Sequence, residues 1–202
     1  AALALLDAAG ERDSTTELML RAALGTSLMY TSGPVEAAEA LWTRVLELAE
    51  RFGDIQYQLR ALYGLWLYKI LVCEYRASLT LGQRFQRVAE RSDGMPDAVV
   101  AYRMISMALH HRGDQAGTRD HTQRGLQRPA AEDRRAQTAR YGVDQNVGTL
   151  VMLARSLWLL GFPDKAMQAA QASVDKAAEI GHANSTCLAV ADGAWPSCPR
   201  GL

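Results

Sequence analysis

Cysteine is sparse and unpaired in this sequence: Cys73, Cys187 and Cys198 are the three among 202 residues, and none forms a CxxC spacing. That pattern argues against a disulfide framework and fits reduced thiols in a cytoplasmic protein. Phe is equally scarce, also at three, and strand-forming residues never fall into period-two runs, so sheets are not expected. No stretch reaches 18 uncharged apolar residues, because Lys69 interrupts the first candidate and Arg155 the second; a membrane-spanning helix is not expected. The opening AALALLDAAG is apolar but lacks a basic flank and carries Asp7, which argues against a signal peptide. An excess of one charge is missing too. Lys plus Arg and Asp plus Glu each total 22, giving no global attraction to nucleic acid, an acidic substrate or a membrane surface. Neither a GxxxxGK[ST] loop nor a G-x-S-x-G elbow occurs, so no motif places nucleotide hydrolysis, a serine nucleophile or a cofactor in this chain.

What is present is helical. Apolar residues make up 49% of the chain, with Ala and Leu prominent, a composition suited to close helix packing. A chain of this length can bury roughly 70% of its unfolded surface. The strongest signal is a repeat. From Gly33, a step of 40 reaches Cys73, another 40 reaches Gly113, and 48 more reach Gly161. Each anchor sits in a break between two helical stretches: TSGPVEAA, LVCEYRAS, HRGDQAGT and LLGFPDKA. Five residues beyond each anchor comes a small side chain, Ala38, Ser78, Thr118 or Ala166, which allows two helices of a hairpin to approach closely. The second helices also end alike, with Ala49-Glu50-Arg51 repeated as Ala89-Glu90-Arg91.

Local chemistry agrees with these boundaries. Ser14 and Glu17 have capping-box spacing. Gly33-Pro34 followed by Glu36 predicts a proline at the first helical position and a carboxylate in the first turn. Gly53-Asp54 and Gly94-Met95-Pro96-Asp97 each join a helix stop to an N-cap candidate. Along 35–52, the apolar residues Val35, Ala38, Leu41, Trp42, Val45, Leu46, Ala49 and Phe52 form one stripe. Helix pairs are therefore expected at about 15–52, 55–92, 97–127 and 146–181, preceded by part of a helix at 2–9 and followed by another beginning after 183. A single helix pair cannot bury its apolar face alone, so the pairs must stack. The expected fold is all-α, a right-handed superhelical array of antiparallel helix pairs occupying residues 1–190, with 191–202 as an irregular tail.

The Gly break with a small residue five positions on resembles the tetratricopeptide (TPR) pattern. The Trp-Leu-Gly-Tyr positions of the first TPR helix are largely degenerate here, and a period of 40 exceeds the usual 34. More distinctive is 141–166, YGVDQNVGTLVMLARSLWLLGFPDKA. It resembles the TPR-like C-terminal region of large bacterial signalling ATPases, in which a winged-helix or nucleotide-cyclase module precedes a P-loop ATPase module. ALYGLWLYKILVCEYRASL, ALHHRGDQAGTR and EIGHANSTCLAVADGAW are similar to the same region, whereas WPSCPRGL departs from it. The resemblance implies a cytoplasmic regulatory or sensor domain acting through the ATPase module of the same parent chain, with a role in signalling or transcription regulation. A start at Ala rather than Met leads us to expect a fragment of such a parent; a free-standing adaptor that scaffolds protein partners is the alternative. Uncapped ends would favour self-association.

Candidate functional residues follow from the repeat register. Projection places Tyr30, Arg60, Tyr63, Arg103, Met107, His110, Arg155 and Trp158 on the first helices, toward the concave side of the array. Aromatics beside arginines there suit a peptide or a small acidic ligand; the opposing reading makes them core. His110, His111 and His121 lie near Asp114 and Asp120, but adjacent histidines point about 100° apart on a helix, which argues against a metal site. His182, after Gly181 at a helix end, reads as a capping or loop residue. Arg112, Arg119, Arg124, Arg128, Arg134, Arg135 and Arg140 form a basic stretch without interleaved aromatics. A solvated helix face and a longer loop explain it better than nucleic-acid binding. Cys73 stands where sister repeats carry Gly, and reads as a small residue in a tight turn.

Overall fold

The computed structural model describes residues 14–91, 97–128 and 134–193. The expected helix at 2–9, the Gly94-Met95-Pro96 turn and the tail beyond 193 lie outside the described residues, as do the side chain of Ser14 and with it the capping box. Among the described residues every regular element is helical. The chain divides into two compact units, Ala1–Glu74 and Tyr75–Leu202.

The first unit contains α1 (Ser14–Thr31), α2 (Glu36–Phe52) and α3 (Ile55–Leu71). Helix α2 buries Ala38, Leu41, Trp42, Val45, Leu46, Leu48 and Ala49, the stripe its three-and-four spacing dictates. Pro34 falls short of the expected position, because the helix begins at Glu36 behind the N-cap residue Val35. Helix α3 buries residues on most of its sides, including Leu59, Leu62, Tyr63 and Trp66, as an inner helix packed against both α1 and α2 must. The indole of Trp42 is only 3% exposed and fills the space left by two glycines, Gly25 on α1 and Gly64 on α3. Asp54 caps α3 by accepting a hydrogen bond from the Tyr57 N–H at 3.0 Å. Lys69 of α3 donates to Glu39 of α2 at 2.7 Å and to Glu74 at 3.0 Å.

The second unit contains α4 (Tyr75–Ala89), α5 (Ala98–His111), α6 (Gln115–Leu126), α7 (Arg134–Tyr141), α8 (Gln145–Leu159), α9 (Pro163–Ile180) and α10 (Ala183–Leu188), ending in a π-helical turn at Ala189–Gly193. Helices α5 and α6 form one hairpin, and α8 and α9 another; α8 also packs on α5 and α6. Pro163 opens α9 at its first turn. Asp114 and Asp144 cap α6 and α8 through the N–H groups of Gly117 and Val147, at 2.8 and 3.0 Å. The π-turn packs on α8 and α9 and runs to Gly193.

The repeat anchors carry the geometry that their spacing implies. Gly33, Cys73, Gly113 and Gly161 all have positive φ, at 76°, 61°, 85° and 82°, the left-handed conformation that ends a helix and reverses the chain. Cys73 is the single non-glycine there among the described residues. The four small residues five positions later, Ala38, Ser78, Thr118 and Ala166, are each fully buried. Thr118 shows why size matters: its hydroxyl donates to the Ser106 carbonyl of α5 at 3.3 Å as well as to Asp114 at 2.7 Å.

Where a long loop was expected after α6, the chain forms the extra helix α7. It is held by side chains rather than by an apolar stripe. Arg134 bonds Asp144 at 2.8 Å, Tyr141 donates to Asp97 at 3.0 Å, and Arg140 stands 3.9 Å from the other oxygen of Asp97. The Tyr141 ring meets Phe85 edge-on, with centroids 6.1 Å apart. Burial, with the Asp97 charge second, holds the Tyr141 phenol well above its ordinary pKa.

Candidate functional site

The candidate residues have different fates, decided by what each side chain meets. Tyr30 belongs to α1, and its side chain lies outside the described residues. Tyr63 is 7% exposed and packs its ring against Trp66 at 5.3 Å. It is part of the core of the first unit. Arg60, one turn earlier on α3, is half-buried. Its Nε–H is shielded from solvent and has no acceptor.

In the second unit Arg103 is 6% exposed. Its side chain crosses α8 at Gly148, where a Cβ would collide with it, and its guanidinium donates to Gln145 Oε1 at 3.3 Å. Arg103 thus joins α5 to α8. Met107 is half-buried on α5. Trp158 packs against the small-residue cluster of Ala154, Leu157, Ala166, Ala169 and Ala170, where α8 meets α9.

His110 and Arg155 are brought together. Arg155 of α8 is close enough to His110 and His111 of α5 to act on both rings electrostatically. It makes no hydrogen bond among the described residues; its nearest acid, Asp192 of the π-turn, is 3.9 Å away. His110 Nδ1 lies 2.9 Å from Gln115 Oε1, and the Gln115 amide donates to the His110 carbonyl at 3.1 Å. The imidazole of His111 stacks on Tyr75 with centroids 4.8 Å apart and planes 10° from parallel. Burial lowers the pKa of His110, the Arg155 charge lowers it further, and the Gln115 hydrogen bond opposes both. The His111 pKa is lowered by burial, then by His110 and Arg155, against the pull of Asp192. Both rings are thereby biased toward the neutral form.

His111, Asp192, Tyr75 and Gln115 therefore belong with the candidate residues although the repeat projection omitted them. His111 carried a signal as the neighbour of His110. Asp192 carried none, since it falls in the stretch expected to be an irregular tail. His182 caps α10, its Nδ1 accepting from the Ser185 N–H at 3.3 Å.

Much of the basic stretch is tied to nearby groups. Arg124 pairs with Asp120 at 3.1 Å, Arg134 with Asp144, and Arg140 with Asp97; Arg128 lies over the Tyr102 ring at 5.7 Å. Among the described residues no group of three or more His, Cys, Asp or Glu side chains comes together as a metal site. No described helix is long and apolar enough to cross a membrane. Cys73 and Cys187 are exposed free thiols.

No family model matches the chain, and no curated protein matches its sequence. Among solved structures it is similar to a Signal Transduction ATPase with Numerous Domains (STAND) protein with a tetratricopeptide repeat sensor, from Pyrococcus horikoshii. The TM-score is 0.65 at 17% identity. The match covers 95% of this chain and 28% of the other. At that identity the likeness is one of fold. The chain has a TPR-like fold of stacked helix pairs.

Proposed function

We propose that this chain is a non-catalytic interaction domain, the sensor region of a larger ATP-dependent signalling or transcription regulator. The observation that carries this reading is the fold likeness, over 95% of the chain, to a STAND protein with a TPR sensor. The stretch 141–166 supports it independently, through its resemblance to the same region of bacterial signalling ATPases. In the second unit Arg155, on the first helix of its pair, is partly exposed and makes no hydrogen bond among the described residues, which leaves its donors for a ligand.

In this reading a peptide or small ligand settles on the first helices, and the altered packing between helix pairs changes how the ATPase module of the same parent chain is held. Such coupling requires that the ligand bind one packing arrangement more tightly than another. The chain would act in the cytoplasm, through protein contacts rather than through nucleic acid or a membrane.

The test begins with the open reading frame upstream of Ala1 and continues with the encoded protein. A P-loop module there, and an ATPase rate whose regulation is lost on deleting residues 1–202, would support the sensor reading. A start codon close by with no further module would replace it with a free-standing adaptor. An ATPase whose rate and regulation survive the deletion would refute it.

A further inference from the structure

The strongest unexplained feature of the second unit is Arg155. A guanidinium presents five donors in a planar fork and is charged at every accessible pH. Arg155 uses none of those donors in a hydrogen bond among the described residues, and its side chain is 27% exposed. Asp192 stands 3.9 Å from it, beyond hydrogen-bond reach, so the pair is an ion pair without the bidentate geometry that makes Arg–carboxylate contacts strong.

Apart from Asp192, the groups around Arg155 leave its charge uncancelled. Both histidines at the end of α5 lie within its field, and their rings meet at 5.3 Å. His111 is fixed by its stack on Tyr75 of α4, and His110 by Gln115 of α6. The nearby acid of the α5–α6 turn, Asp114, is committed to capping α6. The charged and titratable groups facing the histidine pair are thus Tyr75 from α4, Arg155 from α8 and Asp192 from the π-turn. One acid, Asp192, serves both Arg155 and the His111 imidazole.

We propose that Arg155, His110 and His111 form a binding site for an oxyanion, a carboxylate or phosphoryl group of the ligand, and that Asp192 is the internal competitor which that group displaces. This proposal rests on the sensor reading and specifies the chemistry of its ligand. An incoming oxyanion offers Arg155 a planar or tetrahedral set of acceptors, which Asp192 at its present distance does not. It also compensates a positive charge on the imidazoles, so binding takes up protons and strengthens as the pH falls. The π-turn carrying Asp192 is the element that must shift.

The experiment uses the 202-residue chain and two probes, sulfate and acetate, whose own charge is constant between about pH 6 and pH 7.5. NMR follows the Arg155 Nε–H and the imidazole resonances of His110 and His111 during titration. Both sets of resonances should shift, and the dissociation constant should fall by up to about tenfold per pH unit for each proton taken up. Arg155→Gln should abolish the shifts, whereas Asp192→Asn should tighten binding by removing the competitor. Tighter sulfate binding would identify a phosphoryl ligand, and tighter acetate binding a carboxylate, each in support of the site. Resonances that stay still for both probes would overturn the proposal, as would shifts that persist in Arg155→Gln or binding that weakens in Asp192→Asn. Those failures would leave regulation of the parent ATPase by residues 1–202 intact, so the two readings fail separately.

Discussion

The indole of Trp42 occupies the place where Gly64 would otherwise carry a side chain. Six-membered and five-membered ring atoms alike fall within the contact radius of a Cβ built there, and Gly25 closes the other side, its own Cβ position lying 2.9 Å from the indole. Three helices meet at one ring.

Gly64→Ala should therefore destabilise the first unit, although alanine is the better helix former by up to about 1 kcal/mol. The fused ring is rigid and fully enclosed, so it cannot yield as the end of a flexible side chain would. Overpacking of this kind costs about 1–3 kcal/mol. Urea unfolding of the 202-residue chain should show a lower midpoint, with a smaller loss for Gly25→Ala. An unchanged midpoint in Gly64→Ala would mean that α2 can slide away from α3 at little cost.

Cys73 is the converse case, a side chain where the backbone favours none. Its φ of 61° costs a non-glycine residue about 1–2 kcal/mol, and its thiol is exposed, so little packing offsets that strain. Cys73→Gly should stabilise the chain by about 0.5–1 kcal/mol after allowing for the greater freedom of glycine in the unfolded state. Cys73→Ala keeps the strain and should leave the urea midpoint nearly where it was. If alanine stabilises as much as glycine does, the thiol rather than the backbone is the source of the effect.

These two sites also mark what the sequence can and cannot disclose. The turn at Cys73 was legible because position 73 stands in register with Gly33 and Gly113, and a repeat makes one break predict the next. Burial of Ser78 and Thr118 followed from the same register. Helix α7 was not legible. Its eight residues carry no apolar stripe, and the groups that hold it, Asp97 and Asp144, lie 44 residues before Tyr141 and 10 residues after Arg134. The candidate site divides in the same way. Periodicity placed Arg103 and Arg155 on first helices, but only packing separates them: Gly148 gives Arg103 a bed to lie on, whereas Arg155 faces a turn that reads as irregular chain.

Asp144 ties three groups together in the second unit. One oxygen caps α8 through Val147 and the other takes Arg134, while its own N–H donates to Ser185 at 2.9 Å. Asp144→Ala should cost about 3 kcal/mol, since it removes a cap worth about 1 kcal/mol and leaves Arg134 facing a buried position without its acid. Arg134→Ala should cost about 1 kcal/mol, because the carboxylate keeps its backbone donor. Comparable losses in the two variants would show that the ion pair, and not the cap, holds this junction.

The histidine pair sets a pH dependence whose sign is fixed by its surroundings. Both pKa values are lowered in the folded chain, first by burial. In the range between the unfolded value, near 6.5, and the lowered folded values, the unfolded chain binds more protons than the folded one. Stability contributed by the pair is therefore fully present above about pH 6.5 and is lost as the pH falls through the folded values. Urea midpoints measured from about pH 7.5 down to about pH 5.5 should decline for the native sequence, and the decline should flatten when His110 and His111 are both replaced by Asn. Saturating sulfate should flatten it as well, because an anion beside Arg155 raises the folded values back toward the unfolded one. A decline equally steep in the Asn variant would assign the effect to other titrating groups.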